Sequence, residues 1–243
     1  EAYGYKYDTK TGTCYSFVYN HGVQVGTEEL QNIKKGSENN LQNGTRNTMI
    51  LGDHNTTEGK NVNCLIIGEN HIAELDTQNA SIIGGSYGVL SHNSEIVIGG
   101  GFPTASGNQQ MSIYQLSNKT DGLDITLYCN YDTINEEQIY LPSNSVCIYE
   151  VYITGICIGG SEGTAGHFKT KRILGSLLVR EDGSITKTET IDTDTGNSGN
   201  TGTINLVVST ANIFSIQITG RPDTAVNWSA TVKLYINNTI ETF

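Results

Sequence analysis

The chain has 243 residues, with 25 Asp or Glu against 14 Lys or Arg and a formal net charge of −11. That balance argues against nucleic acid and anionic membrane surfaces, which select basic patches, so neither is an expected partner. Charged residues are only 16% of the chain while Gly reaches 28, so strands joined by tight turns, an all-β fold, are predicted over long helices.

No apolar run approaches the roughly 20 residues of a membrane-spanning helix, so membrane insertion is not expected. The five cysteines, Cys14, Cys64, Cys129, Cys147 and Cys157, are odd in number and form no CxxC pair. Neither a disulfide framework nor a zinc cluster is indicated, and Cys64 and Cys157 sit in apolar runs as buried thiols would. The chain starts at Glu1 with no legible signal peptide, which suggests a segment of a longer protein.

Residues 1–35 read as a connector. Thr27-Glu28-Glu29-Leu30 with Lys34-Lys35-Gly36 fits two turns of helix, capped by Thr, acidic at its start, basic at its end and closed by Gly.

A repeat follows over residues 36–112. Gly36, Gly52, Gly68 and Gly84 recur at one fixed interval of about 16 residues, and Gly99 follows one residue early. Apolar runs precede them: Met49-Ile50-Leu51, Leu65-Ile66-Ile67, Ile82-Ile83 and Ile96-Val97-Ile98. Gly44 and Gly59 mark turns half a period on, and Asn39, Asn47, Asn55 and Asn79 recur near the turns. Gly and Asn accept positive φ at corners, and stacked coils bring like residues into ladders, which predicts a β-roll or β-solenoid. Because successive strand side chains point to opposite faces, a continuous apolar run asks for cover on both. Ile50, Leu51, Ile66, Ile67, Ile82, Ile83, Val97 and Ile98 are therefore expected in core and subunit packing, with further copies of the chain covering one side. A lone solenoid with a small antiparallel cover is the plainer alternative.

Over residues 113–243 this beat gives way to alternating strands, around 125–128, 146–152, 173–179, 204–208, 214–218 and 229–236. Turn signals at Glu181-Asp182-Gly183-Ser184 and Gly220-Arg221-Pro222-Asp223 separate some of them. This predicts an antiparallel β-sandwich with Trp228 anchoring its core. Two polar loops stand out, 159–167 and 192–202, and loops on a rigid scaffold often carry recognition. Ser161, Glu162, Thr164, His167, Asp192, Asp194, Asn197 and Asn200 are the candidate receptor-binding residues, with solvated connectors as the plain reading.

The stretches NTMILGDHNTTEG, NCLIIGENH, ASIIGGSYG and SEIVIGGGFPTASGNQQMS resemble the left-handed β-roll repeats of trimeric autotransporter adhesin heads, which also occur in bacteriophage tail fibres. Gly99-Gly100-Gly101 running into Thr104 to Asn108 looks most like the phage versions. From about residue 145, the strand Tyr149 to Gly155, the basic strand Phe168 to Arg172 and the strand around Trp228 resemble the C-terminal β-sandwich of many phage tail proteins. The resemblance implies a homotrimeric virion fibre subunit, assembled in the host cytoplasm. It would bind other virion proteins and attach to a host-surface glycan or protein. A bacterial adhesin passenger and a polysaccharide depolymerase with an inter-subunit site are the alternatives.

Catalytic and cofactor chemistry is not legible, so the expectation is no enzyme, no cofactor and no metal. His54, His71 and His92 recur near the coil period but lack an accompanying ligand set, and read as surface turn residues. Asp192 to Asn197 faintly resembles a calcium loop without its bidentate Glu. Glu181-Asp182 sits on a predicted hairpin, where adjacent acids point apart.

Overall fold

The computed structural model describes residues 5–8, 13–16, 24–25, 32–103, 105–129, 136–196 and 201–238. The chain divides into two compact units, Glu1–Met111 and Ser112–Phe243. Every regular element among the described residues is a strand.

The first unit opens with β1 (Tyr5–Asp8), β2 (Thr13–Ser16) and β3 (Gln24–Val25), an antiparallel sheet in that order. A β-solenoid of about four turns, about 16 residues each, follows. Its main face stacks β4 (Ile33–Lys35), β6 (Met49–Asp53), β8 (Leu65–Glu69), β10 (Ser81–Ser86) and β12 (Glu95–Phe102), the pairs being parallel. A second face stacks β5 (Asn40–Leu41), β7 (Thr56–Thr57), β9 (Ile72–Ala73) and β11 (Val89–Leu90). A third is drawn together by the parallel bridges Arg46–Val62–Gln78.

The expected helix into the repeat is corrected at its end, where Ile33–Lys35 is strand, while Thr27, Glu28, Glu29 and Leu30 lie outside the described residues. Ile33, Lys34 and Lys35 pair with Met49, Ile50 and Leu51, and this ladder overrides a weak local helix preference.

Inside the coils Ile50, Ile66, Ile82 and Val97 stack with 0% exposure, beside Cys64, Ala73, Ala80 and Leu90. Leu51 and Ile67 are half-buried on the outer side, where Ile83 and Ile98 are 46% and 42% exposed. Gly52 has φ +131, and a Cβ there would lie 1.9 Å from the Gly68 carbonyl oxygen, so no other residue fits this corner without displacing the next coil.

Two side-chain ladders run along the corners. On the surface, Asn47, Asn63 and Asn79 adopt the left-handed conformation that Asn tolerates. Their amides pair in series, 3.3 Å from Asn47 to Asn63 and 2.9 Å from Asn63 to Asn79. In the interior, Asn39 Oδ1 accepts from the backbone N–H of Asn55 at 2.9 Å, and Asn55 Oδ1 accepts from that of His71 at 2.9 Å. His71 Nδ1 accepts in turn from Gly88 N–H at 2.9 Å.

The ladder ends at Gly88 because the register slips. Ile83 faces Ile67, but Ser86 faces Glu69, with Gly84 and Gly85 taking up the extra residue at positive φ.

The expectation of surface histidines is corrected for His71 and His92, which are buried, whereas His54 is exposed and sits 2.9 Å from Glu38. A ladder position demands a hydrogen-bond acceptor aimed along the stack, and neutral imidazole supplies one as an Asn does. His92 lies beside the buried Glu95, whose Oε2 accepts from the backbone N–H groups of Ser91 and His92.

The second unit holds two sheets. One runs β18 (Ile185–Gly196), β17 (Phe168–Val179), β16 (Ser145–Gly159), β21 (Ala225–Asn238) and β13 (Ala105–Asp121), the strand that carries the chain in from the first unit. The other centres on β20 (Ile213–Thr219), with β14 (Ile125–Leu127) and β15 (Ile139–Tyr140) on one side and β19 (Thr203–Val208) on the other. Inward residues of both sheets form one core, in which Tyr149 of β16 meets Phe214 of β20 edge-on at 5.5 Å. Trp228 is 2% exposed and its Nε1 donates to Thr120 Oγ1 at 3.2 Å, as its anchoring role requires. Directly across the ladder lies Gly155, where a Cβ would fall 2.4 Å from the indole.

Two predictions follow from these packings. Gly155→Ala is expected to destabilise the protein by about 1–3 kcal/mol. Urea unfolding followed by the fluorescence of Trp228, the one tryptophan in the chain, checks it. The second concerns His71, whose pKa burial pushes below its ordinary value of 6.5. The unfolded chain then takes up a proton that the folded chain resists, so stability is lost as pH falls through about 6.5. His71→Asn, which repeats the residue at Asn39 and Asn55, is expected to remove that part of the slope. Thermal midpoints of both proteins between pH 5 and 8 test this, the difference cancelling groups common to the two.

Candidate functional site

One end of the second unit gathers three turns: 122–124 after β13, 160–167 between β16 and β17, and 220–224 between β20 and β21. Hydrogen bonds hold them against one another. Glu162 N–H donates to the Asp223 carbonyl at 3.1 Å, and Gly220 N–H donates to Asp124 Oδ1 at 3.0 Å. The 160–167 loop is pinned at its base, where Cys157 N–H donates to the His167 carbonyl at 2.7 Å and Gly166 N–H to the Cys157 carbonyl at 2.9 Å. Ser161, Glu162 and Thr164 are exposed on this loop, while His167 is half-buried with Nδ1 enclosed. Leu123, at the neighbouring turn, is 73% exposed.

Asp192 and Asp194, expected in a loop, are corrected to strand β18, and Asn197 and Asn200 lie outside the described residues. Thr186, Thr188 and Thr190 alternate along β18, then the phase changes to Thr193 and Thr195. The change marks a bulge, since Glu189 faces Gly175 but Ile191 faces Leu174. That Thr alternation is the signal by which this polar strand is legible.

The carboxylates of β18 position lysines. Lys169 lies 3.0 Å from Asp194, Lys171 3.0 Å from Asp192, and Lys187 2.7 Å from Glu189. The same ammonium groups donate to the Gly202, Ile204 and Leu206 carbonyls at 3.0, 3.3 and 2.9 Å. These alternate carbonyls face away from β20, so the lysines occupy the outer edge of β19. The pairs thus join the two sheets, and this structural arrangement engages Asp192 and Asp194.

Beside the turn cluster lies a cleft of about 420 Å³. Asn118, Asp124, Thr126, Tyr128, Glu136 and Gln217 line it, above the apolar Ile125 and Ile218. Pairing assembles it: Thr126 faces Gln217 across β14 and β20, and Ser117 bridges to Tyr128. Asn118 Nδ2 donates to the Thr126 carbonyl at 2.7 Å. Burial, and then the hydrogen bond to the Glu136 carboxylate, hold the Tyr128 phenol above its ordinary pKa. No short motif contains these residues, which come from separate segments, so sequence reasoning missed the cleft. Among the described residues no cluster of His, Cys, Asp and Glu is arranged to hold a metal ion.

No protein-family model matches the chain, and no curated protein matches it. Among solved structures it is similar to the tailspike protein of Acinetobacter baumannii phage AM24, with 8% identity and a TM-score of 0.30 over 81% of this chain and 50% of that one. A tailspike of Acinetobacter baumannii bacteriophage Fri1, described as a capsular polysaccharide depolymerase, gives 8% identity and 0.33 over 88% and 45%. The Acinetobacter phage vB_ApiP_P1 tailspike gives 10% and 0.24 over 86% and 47%. The chain spans about half the length of these proteins.

The expectation of no enzymatic activity is corrected on this finding. The Fri1 protein is described as a capsular polysaccharide depolymerase, an enzyme, and the expectation is withdrawn.

Lys171→Ala is expected to lower stability by about 1.5–3 kcal/mol, because it uncovers the Ile204 carbonyl and leaves Asp192 unpaired. Asp192→Ala, at the more exposed partner, is expected to lower it by about 1 kcal/mol or less. Urea unfolding of the two variants measures both.

Proposed function

We propose that the chain is a subunit of a bacteriophage fibre that attaches to the host surface. In this reading residues 1–35 connect, 36–112 form the roll, and 113–243 form a β-sandwich tip. The two sheets sharing one core support the sandwich. Three copies pack about an axis, other virion proteins hold the assembly, and a host glycan or protein is bound by the tip.

The observation that carries the reading is the apolar outer face of the solenoid. Ile83, Ile96 and Ile98 are exposed on strands whose inner residues already fill the coil, Ile33 is exposed on the first strand, and Met49, Leu51, Leu65 and Ile67 lie beside them. A patch of this kind marks a contact surface, and like faces of identical chains cover it without a second gene product. The second unit carries another, with Val146, Ile148, Ile156 and Ile158 exposed on β16. Ser161, Glu162 and Thr164, exposed on the pinned loop, and the half-buried His167 are the proposed contacts to the receptor. The buried free thiols Cys64, Cys129, Cys147 and Cys157 accord with assembly in a reducing host cytoplasm, before the particle is released.

Two measurements test this. Light scattering is expected to give a mass near three times 26.3 kDa that survives dilution, and a monomer at every concentration would overturn the fibre reading. Labelled chain applied to a panel of encapsulated bacteria is expected to bind selected strains. Release of reducing ends from their polysaccharide in the same samples reports whether cleavage accompanies attachment.

A further inference from the structure

We propose that the cleft of the second unit is a saccharide subsite for an uncharged or amino sugar, and that it rejects acidic sugars. This deepens the attachment reading and rests on it for its biological role, but it stands on its own chemistry.

The volume of about 420 Å³ falls within the range of small-ligand sites. The lining suits a polyhydroxylated ring. The Gln217 amide offers a donor and an acceptor, the Asp124 and Glu136 carboxylates are acceptors for hydroxyl pairs, and the Tyr128 ring offers an amphipathic face. Ile125, half-buried in the wall, adds apolar surface for the C–H side of a sugar, whereas Ile218 belongs to the core beneath.

The lining is also fixed before any ligand arrives. Asn118 donates to the Thr126 carbonyl at 2.7 Å while its Oδ1 accepts from Lys119 N–H at 2.7 Å. Asp124 is anchored through Oδ1 to Gly220 at 3.0 Å, and Tyr128 is bonded to Glu136. Polar groups already held in place lose little freedom on binding.

Charge sets the class. Two carboxylates face the cleft, and among the described residues no Lys, Arg or His lines it. A uronic or sialic carboxylate would be repelled, hydroxyls would be accepted, and an ammonium group would be attracted.

The test titrates the full chain calorimetrically with three tetrasaccharides: chitosan tetramer, neutral chitotetraose and tetragalacturonate. Binding of chitosan tetramer or chitotetraose, with tetragalacturonate weakest, is expected. Gln217→Ala should weaken binding about tenfold, the loss of one well-placed hydrogen bond. Glu136→Gln should weaken the chitosan tetramer more than the neutral sugar. Unchanged thermal midpoints establish that both variants fold, and Glu58→Gln on the solenoid should bind as wild type.

Tetragalacturonate binding tightest, equal binding by Gln217→Ala and wild type, or no binding of any tetramer at millimolar concentration would each overturn the cleft inference. None of those outcomes touches attachment, which the bacterial panel decides. Cleft-dependent sugar binding by a chain that labels no bacterium would sustain the inference and overturn attachment.

Discussion

A coil of about 16 residues is nearly all corner, and its inward polar groups have no water to turn to. The interior ladder answers that constraint. Asn39 and Asn55 each accept from the next coil's backbone, and Asn55 Nδ2 also donates to the Gly68 carbonyl at 2.9 Å. With the corners satisfied, Ile50, Ile66, Ile82 and Val97 can stack in a column with no compensating polar group among them. The outer apolar face is a consequence of the same geometry, because a strand with one face committed to the column shows its alternate residues outward.

The second unit meets a comparable problem at an edge. β19 pairs with β20 on one side, so its other row of carbonyls would be open to pairing with another chain. Three lysines from the neighbouring sheet occupy that row, each tethered by an acid of β18. Asp192 and Asp194, though exposed, are thereby engaged in the protection of an edge, whereas Ser161, Glu162 and Thr164 are exposed on the 160–167 loop.

Much of the solenoid was legible because its physics is local and repeats. Gly52 and Gly68 had to be glycine, and the apolar triplets had to be strands. Burial of His71 was not legible, because the identity of a residue does not reveal that it stands on a ladder. Strand β13 was missed since its inward residues include Asn108, Gln110 and Ser112, which blur the usual alternation. β18 was missed for a related reason, its alternation being of Thr with charge. The cleft was beyond reach in principle: Asn118, Tyr128 and Gln217 become neighbours only through strand pairing.

The slip at Gly84–Gly85 has a bearing on how long such a rod can be. Each ladder side chain passes an acceptor toward the coil that follows, so the stack has a direction and any coil bearing the acceptor invites a successor. Gly88 donates its N–H to His71 and has no side chain to offer an acceptor onward. The stop signal is thus carried within the sequence, as one inserted residue and one missing side chain. Lineages could lengthen the rod by duplicating a unit such as residues 49–64 upstream of that point, while the terminal coil stays as it is. The length of the rod and the identity of its end are then separable traits, free to vary independently.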